Sequence, residues 1–168
     1  MFDTEISKYI RSNKGDELQV SLIPLRGQFL SQEAHERLSR DGVDVLMVEL
    51  DRVKGIAPVG HLVLSNIEQV VADAFVHKRN TVICFICDFL SPIPSSKKQI
   101  PCQQYRSILF TRMFERYISK HESVMDMTQT VVAIEGTCET YYVHLIARKE
   151  QMHYVQLLSE DIKTGFSK

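Results

Sequence analysis

The sequence predicts an α+β (or α/β) fold, a single mixed sheet of about five strands with helices packed on it. Three observations carry this expectation. Residues 81–88, TVICFICD, are apolar almost throughout and β-branched at their start, the pattern of a strand buried on both faces. Residues 65–76 and 102–120 repeat apolar side chains at helical spacing. An earlier apolar strand, the first of these helices and the strand at 81–88 follow one another, the order of a βαβ unit with parallel neighbours and a right-handed crossover. The predicted order along the chain is β-(α)-β-α-β-α-β-β-α.

Residues 1–17 are an N-terminal lead-in. The first predicted strand, LQVSLIPL at 18–25, alternates Leu18, Val20 and Leu22 with polar Gln19 and Ser21, so one face is expected to be exposed. Pro24 confines it to an edge or to the strand's end. SQEAHERLSR at 31–40 is a short helix with Ser31 as its cap, closed by the turn signal Asp41-Gly42. VDVLMVELD at 43–51 is apolar on both faces and therefore central.

VKGIAPVGH at 53–61 is a loop. Ser65 and Glu68 then match the S-x-x-E capping box, and Ile67, Val70, Val71, Ala74 and Phe75 form one apolar stripe. Lys78 and Arg79 suit the negative end of that helix. Pro92, Pro94, Pro101 and the Ser/Lys run between them predict a mobile loop at 89–101. The helix at 102–120 turns a wide apolar face, from Tyr105 to Tyr117, toward the sheet. Residues 130–149 read as a hairpin turning near Gly136, and a last helix follows.

A chain of 168 residues fits one domain, 1–168, large enough to bury roughly two thirds of its unfolded surface. The 20 basic and 21 acidic residues leave a net charge of −1, which argues against nucleic acid or an anionic membrane as partner. MFDTEISKYIRSNKGDE has no basic-then-apolar signal pattern, and runs such as VICFIC are far below the ~20 residues of a membrane span. A soluble cytoplasmic protein with reduced thiols is the expectation. Cys84 and Cys87 have CxxC spacing, but positions i and i+3 of a strand point to opposite faces and cannot grip one metal. Both read as small buried hydrophobes. Cys102, near a helix start, is the more reactive thiol of the set.

Three constellations could carry chemistry. Asp88 closes the apolar strand, where open α/β sheets collect ligand-binding groups, and Arg106 falls inside the apolar sector of the following helix. A cation there must snorkel or be paired, and Asp88 is the expected partner, tying helix to sheet. Lys97, Lys98, Arg106, Arg112, Arg116 and Lys120 face a single local anion, Glu115; Arg112 and Arg116 are i, i+4 neighbours able to grip phosphate or an acidic peptide. Gly55, Gly60 and Ser65 surround a helix start that could cradle phosphate, although the spacing matches neither GxGxxG nor a P-loop. The six histidines show no metal-ligand spacing, and His144, amid YYVHLIA, reads as a satisfied sheet residue.

The elements ICD at 86–88, RSILFTRMF at 106–114 and YYVHLIARK at 141–149 resemble an uncharacterised family of small bacterial proteins, a domain of unknown function. In that family an apolar strand closes on Cys-Asp, and a helix of the form R-x-x-L-F-x-R-x-F and a hairpin follow. The resemblance implies topology and no activity. The family's loop after Cys-Asp is short and tends to carry Asp-Gly, whereas this chain has FLSPIPSSKKQIPCQQ. The order of elements is also similar, in topology alone, to the second half of acetyl-CoA-dependent N-acetyltransferases, whose Q/R-x-x-G-x-G/A loop VKGIAPVGH does not reproduce.

The resulting expectation is a non-enzymatic domain without a cofactor. It would bind a protein partner, a second copy of itself or a small anionic ligand near Asp88 and the 89–101 loop. The alternative is an acetyltransferase-like enzyme, or a degenerate relative, holding acyl-CoA at the 55–66 loop.

Overall fold

A computed structural model describes residues 6–25, 29–55, 61–87 and 100–166. The elements are β1 (Ile6–Arg11), β2 (Glu17–Pro24), α1 (Gln32–Arg40), β3 (Asp44–Lys54), α2 (His61–His77), β4 (Thr81–Cys87), α3 (Cys102–Lys120), β5 (Met127–Glu135), β6 (Thr140–Arg148) and α4 (Met152–Phe166). The six strands form one sheet in the order β1-β2-β3-β4-β6-β5. Of these pairs, β3 and β4, joined through α2, run parallel, and the other neighbours are antiparallel. The mixed α+β sheet expected from sequence is present. Its sixth strand is β1, which pairs with β2 within the stretch taken as a lead-in.

Strand β4 organises the layers. Ile83, Phe85 and Cys87 pack with residues of α2 and α3, among them Phe75, Phe110 and Phe114. Val82 and Cys84 pack on the other face with Leu38 of α1 and with Val155, Leu158 and Ile162 of α4. The period of two along one strand thus puts helices on both faces of the sheet. Cys84 and Cys87 fall into these opposite cores as buried thiols, so the CxxC spacing does not bring them together. Burial pushes the Cys84 thiol up to about 12, which keeps it protonated and inert.

Helix ends follow local chemistry in two cases and depart from it in a third. Ser31 caps α1 by accepting from the Ala34 N–H at 3.1 Å, and the Ser31 N–H donates to Asp161 of α4 at 2.7 Å. α3 begins at Cys102, directly after Pro101. α2, in contrast, begins at His61, which overturns the capping box read at Ser65 and Glu68. Val63 and Leu64 are buried, and their burial draws an extra turn into the helix ahead of Ser65. In β2, Ser21 is buried rather than exposed, since β1 and β3 flank it on both sides at Ser7 and Glu49. The β5–β6 turn closes where expected, with the Gly136 N–H donating to the Glu139 carbonyl at 2.8 Å.

Arg148 fastens three parts of the chain. From the end of β6 its Nη1 donates to both Asp126 oxygens at 2.7 Å, and its Nη2 donates to the Phe75 carbonyl at 2.9 Å. A cation at the last turn of α2 also meets the negative end of the helix dipole. The Arg148 side chain is 8% exposed while that of Asp126 is 47% exposed. Removing the carboxylate strands a buried charge, whereas removing the guanidinium leaves an acid that water can solvate. Asp126→Ala is therefore expected to cost about 3 kcal/mol and Arg148→Met about 1–2 kcal/mol in urea unfolding. The reverse order would refute this account.

Candidate functional site

Helices α2 and α3 lie on the same face of the sheet, and a groove of about 250 Å³ opens between them. α2 contributes Ser65 and Glu68, one helical step apart. α3 contributes Met113, Arg116, Tyr117 and Lys120, which share one side of that helix by their spacing, and His121 follows at its end. Ser65, Arg116, Lys120 and His121 are exposed. Tyr117 and His121 stack at 4.0 Å between ring centroids, and His121 Nδ1–H donates to the Tyr117 carbonyl at 2.8 Å. Burial and the negative field of Asp73 and Glu68 raise the Tyr117 hydroxyl.

Glu68 is the most buried polar group of the groove, 5% exposed, and its Oε1 has no hydrogen-bond partner among the described residues. Desolvation alone pushes its carboxyl up to about 7. Among the described residues no cation forms an ion pair with it, although Arg116 and Lys120 line the same groove. Sequence reasoning missed this residue as a site because the capping box accounted for it. The signal was present: Leu64, Ile67, Glu68, Val71 and Phe75 share one helical face, so Glu68 interrupts an otherwise apolar stripe.

Those residues singled out from sequence that are described separate into four places. Asp88, Lys97, Lys98 and Gly60 lie outside the described residues, and so does the expected pairing of Asp88 with Arg106. Arg106 is 4% exposed, on the inner side of α3 with Gln103, Ser107, Phe110 and Phe114, and so does not form part of a cationic rim. Arg112 lines a separate recess of about 420 Å³ with Thr111, Glu115, Val131 and Tyr142, so the Arg112–Arg116 pair is divided between two depressions. Gly55 packs against the β1–β2 turn at φ 91°, where any Cβ would overlap the Asp16 carboxylate. That contact alone explains a glycine there. Ser65 of one constellation and Arg116 and Lys120 of another are the residues that the structure unites in one groove.

A second polar assembly lies beneath α3. His144 is wholly buried on β6 between Ser107 Oγ, 2.9 Å from its Nε2, and Gln129 Oε1, 3.0 Å from its Nδ1. Gln129 Nε2 donates to the Thr111 carbonyl at 3.1 Å, which fixes the amide with Oε1 toward the histidine. His144 Nδ1 then carries the proton, and Nε2 accepts from the Ser107 hydroxyl. This is the tautomer a serine nucleophile would need. Yet burial lowers His144 to about 4, too weak a base for that work near neutrality, and Ser107 is 4% exposed. The chain of bonds ties α3 to β6 and satisfies His144, as expected of a sheet residue.

Among the described residues, no group of three His, Cys, Asp or Glu side chains is placed to hold a metal ion, and no helix is long and apolar enough to cross a membrane. No protein-family model and no curated protein matches the chain.

Two pH dependences of opposite sign follow. His144 is held at about 4 against an ordinary 6.5, so its contribution is whole above 6.5 and is lost as pH falls toward 4. The stability of the wild type relative to His144→Gln should drop by about 2 kcal/mol between pH 7 and pH 5. Glu68 is held at about 7 against an ordinary 4.5, so its contribution is whole below 4.5 and is lost as pH rises through 7. Glu68→Gln should gain about 2 kcal/mol on the wild type between pH 5 and pH 8. Urea unfolding of the three proteins at these pH values checks both, and a pH-independent difference in either variant contradicts its assignment.

Proposed function

We propose that the protein is a non-enzymatic binding domain whose α2–α3 groove takes a small anionic ligand. The observation that carries this reading is the convergence of Arg116, Lys120 and His121 with the Ser65 hydroxyl of a different helix on one groove. Guanidinium, ammonium and hydroxyl groups donate hydrogen bonds to carboxylate or phosphate oxygens, and charge-assisted bonds of this kind are the strong ones. The lining cations lack protein carboxylates as ion-pair partners among the described residues, so their donors are available to a ligand.

The groove sets the ligand's size. At about 250 Å³ it lies below the ~300 Å³ at which pockets for drug-sized molecules begin. A ligand of a few to about ten heavy atoms fits, and its affinity is modest because the cations are solvated and screened by salt. On this reading the binding function belongs to the α2–α3 side. The 89–101 loop lies outside the described residues as far as Gln99.

Titration with inorganic phosphate and with acetate at constant ionic strength tests the reading, followed by ¹H–¹⁵N shifts. Saturable shifts are expected at Ser65, Glu68 and residues 113–121. Arg116→Ala or Lys120→Ala should each weaken binding about five-fold, the worth of one partly solvated ionic hydrogen bond. Shifts that grow linearly without saturation, or variants that bind as the wild type does, would overturn it.

A further inference from the structure

We infer that the groove is built for a zwitterion: an anionic group held by Arg116 and Lys120 at the rim, and a primary ammonium seated against the Glu68 carboxylate below. The inference rests on the anion-binding reading and adds to it the second half of the ligand.

Glu68 is 5% exposed and its Oε1 is buried without a partner among the described residues, which is costly because that oxygen has lost water and gained no hydrogen bond. The protein has cations at hand to neutralise it. Arg116 and Lys120 line the same groove, yet neither forms an ion pair with Glu68. The groove therefore has an acceptor below and donors above, on opposite helices. An occupant with one charge of either sign satisfies only half of this arrangement. A simple anion would meet the rim but leave the Glu68 oxygen unpaired.

The surroundings favour a cation at the lower end. The negative charges of Asp73 and Glu68 on α2, after burial, raise the Tyr117 hydroxyl of α3. Tyr117, stacked on His121, lines the same groove, and ammonium groups are attracted to aromatic rings. An ammonium beside Glu68 would also hold its carboxyl ionised despite burial. Glu68, Arg116 and Lys120 border one groove of about 250 Å³, so a ligand that meets all three is small. The class is that of small amino acids and short ω-amino acids, which bear one carboxylate and one ammonium.

Calorimetric titration of the full chain at pH 8 separates the alternatives. The probes are glycine, β-alanine and γ-aminobutyrate, each compared with acetate, propionate or butyrate, which have matching carbon chains and no ammonium. At least one zwitterion is expected to bind ten-fold or more tightly than its plain carboxylate. Glu68→Gln should erase that advantage, and Arg116→Ala should weaken binding of zwitterion and carboxylate alike. Equal binding of zwitterion and carboxylate by the wild type overturns this inference and leaves the anion-binding reading standing. No saturable binding of any probe overturns the inference and, with it, the anion-binding reading for carboxylates. An advantage that survives in Glu68→Gln also overturns the inference, since the ammonium would then be recognised elsewhere.

Discussion

Strand β4 must be covered on both faces, and the rest of the structure depends on that constraint. Every side chain from Thr81 to Cys87 is apolar or small, and six of the seven residues of TVICFIC are buried. A strand of this kind cannot sit at an edge or face water. It takes β3 as a parallel neighbour on one side and β6 as an antiparallel neighbour on the other, which satisfies its backbone. Its alternating side chains then demand a helical layer above and another below. α2 and α3 are neighbours because both are needed over Ile83, Phe85 and Cys87. The groove lies between these two helices.

Three buried polar groups show how the fold treats such side chains. Arg148 has two partners, Asp126 and the Phe75 carbonyl, and joins β6 to α2. His144 has two partners and joins β6 to α3. Both direct their bonds into the protein, and both lie where two elements need fixing to each other. Glu68 is as buried as Arg148, but its Oε1 meets no partner among the described residues, and it borders a groove rather than a packed interface. A buried network whose charges are paired specifies structure, while an acid left without a donor beside a groove marks a place where something else supplies the bond. Arg148 Nε, Thr81 Oγ1 and Gln151 Oε1 also lack partners among the described residues, and what sets Glu68 apart from them is its place in the lining of the α2–α3 groove.

The layers were legible in the sequence because they rest on periodicity. TVICFIC at 81–87, the stripe from Ile67 to Phe75 and the helix at 102–120 each display their period without help from the rest of the chain. β1 was not legible. In ISKYIR, Ile10 is buried while Lys8, Tyr9 and Arg11 are not, so the segment's pairing with β2 comes from a neighbour that local sequence does not reveal. The start of α2 was misread for a related reason. Ser65 and Glu68 satisfy a local capping pattern, but burial of Val63 and Leu64 outweighs the roughly 1 kcal/mol a cap contributes. The candidate site was legible only in pieces: Ser65 and Arg116 are 51 positions apart, and only the α2–α3 contact brings them to one groove.

The same misreading explains why Glu68 was hidden. An S-x-x-E pattern has two physical uses, one at a helix start and one a turn or more inside it. At a start, the glutamate reaches back to a free backbone N–H and is satisfied locally. Inside a helix, those N–H groups are already bonded to carbonyls four residues earlier, and the side chain must look outward. His61 as the first residue of α2 puts Ser65 and Glu68 in the second situation. Glu68 then points from an apolar stripe toward α3 with no backbone donor in reach of its pattern, and α3 answers with an exposed arginine and lysine that stay at the rim. One extra helical turn, drawn in by two buried aliphatic residues, converts a structural cap into an unpaired acid within a groove.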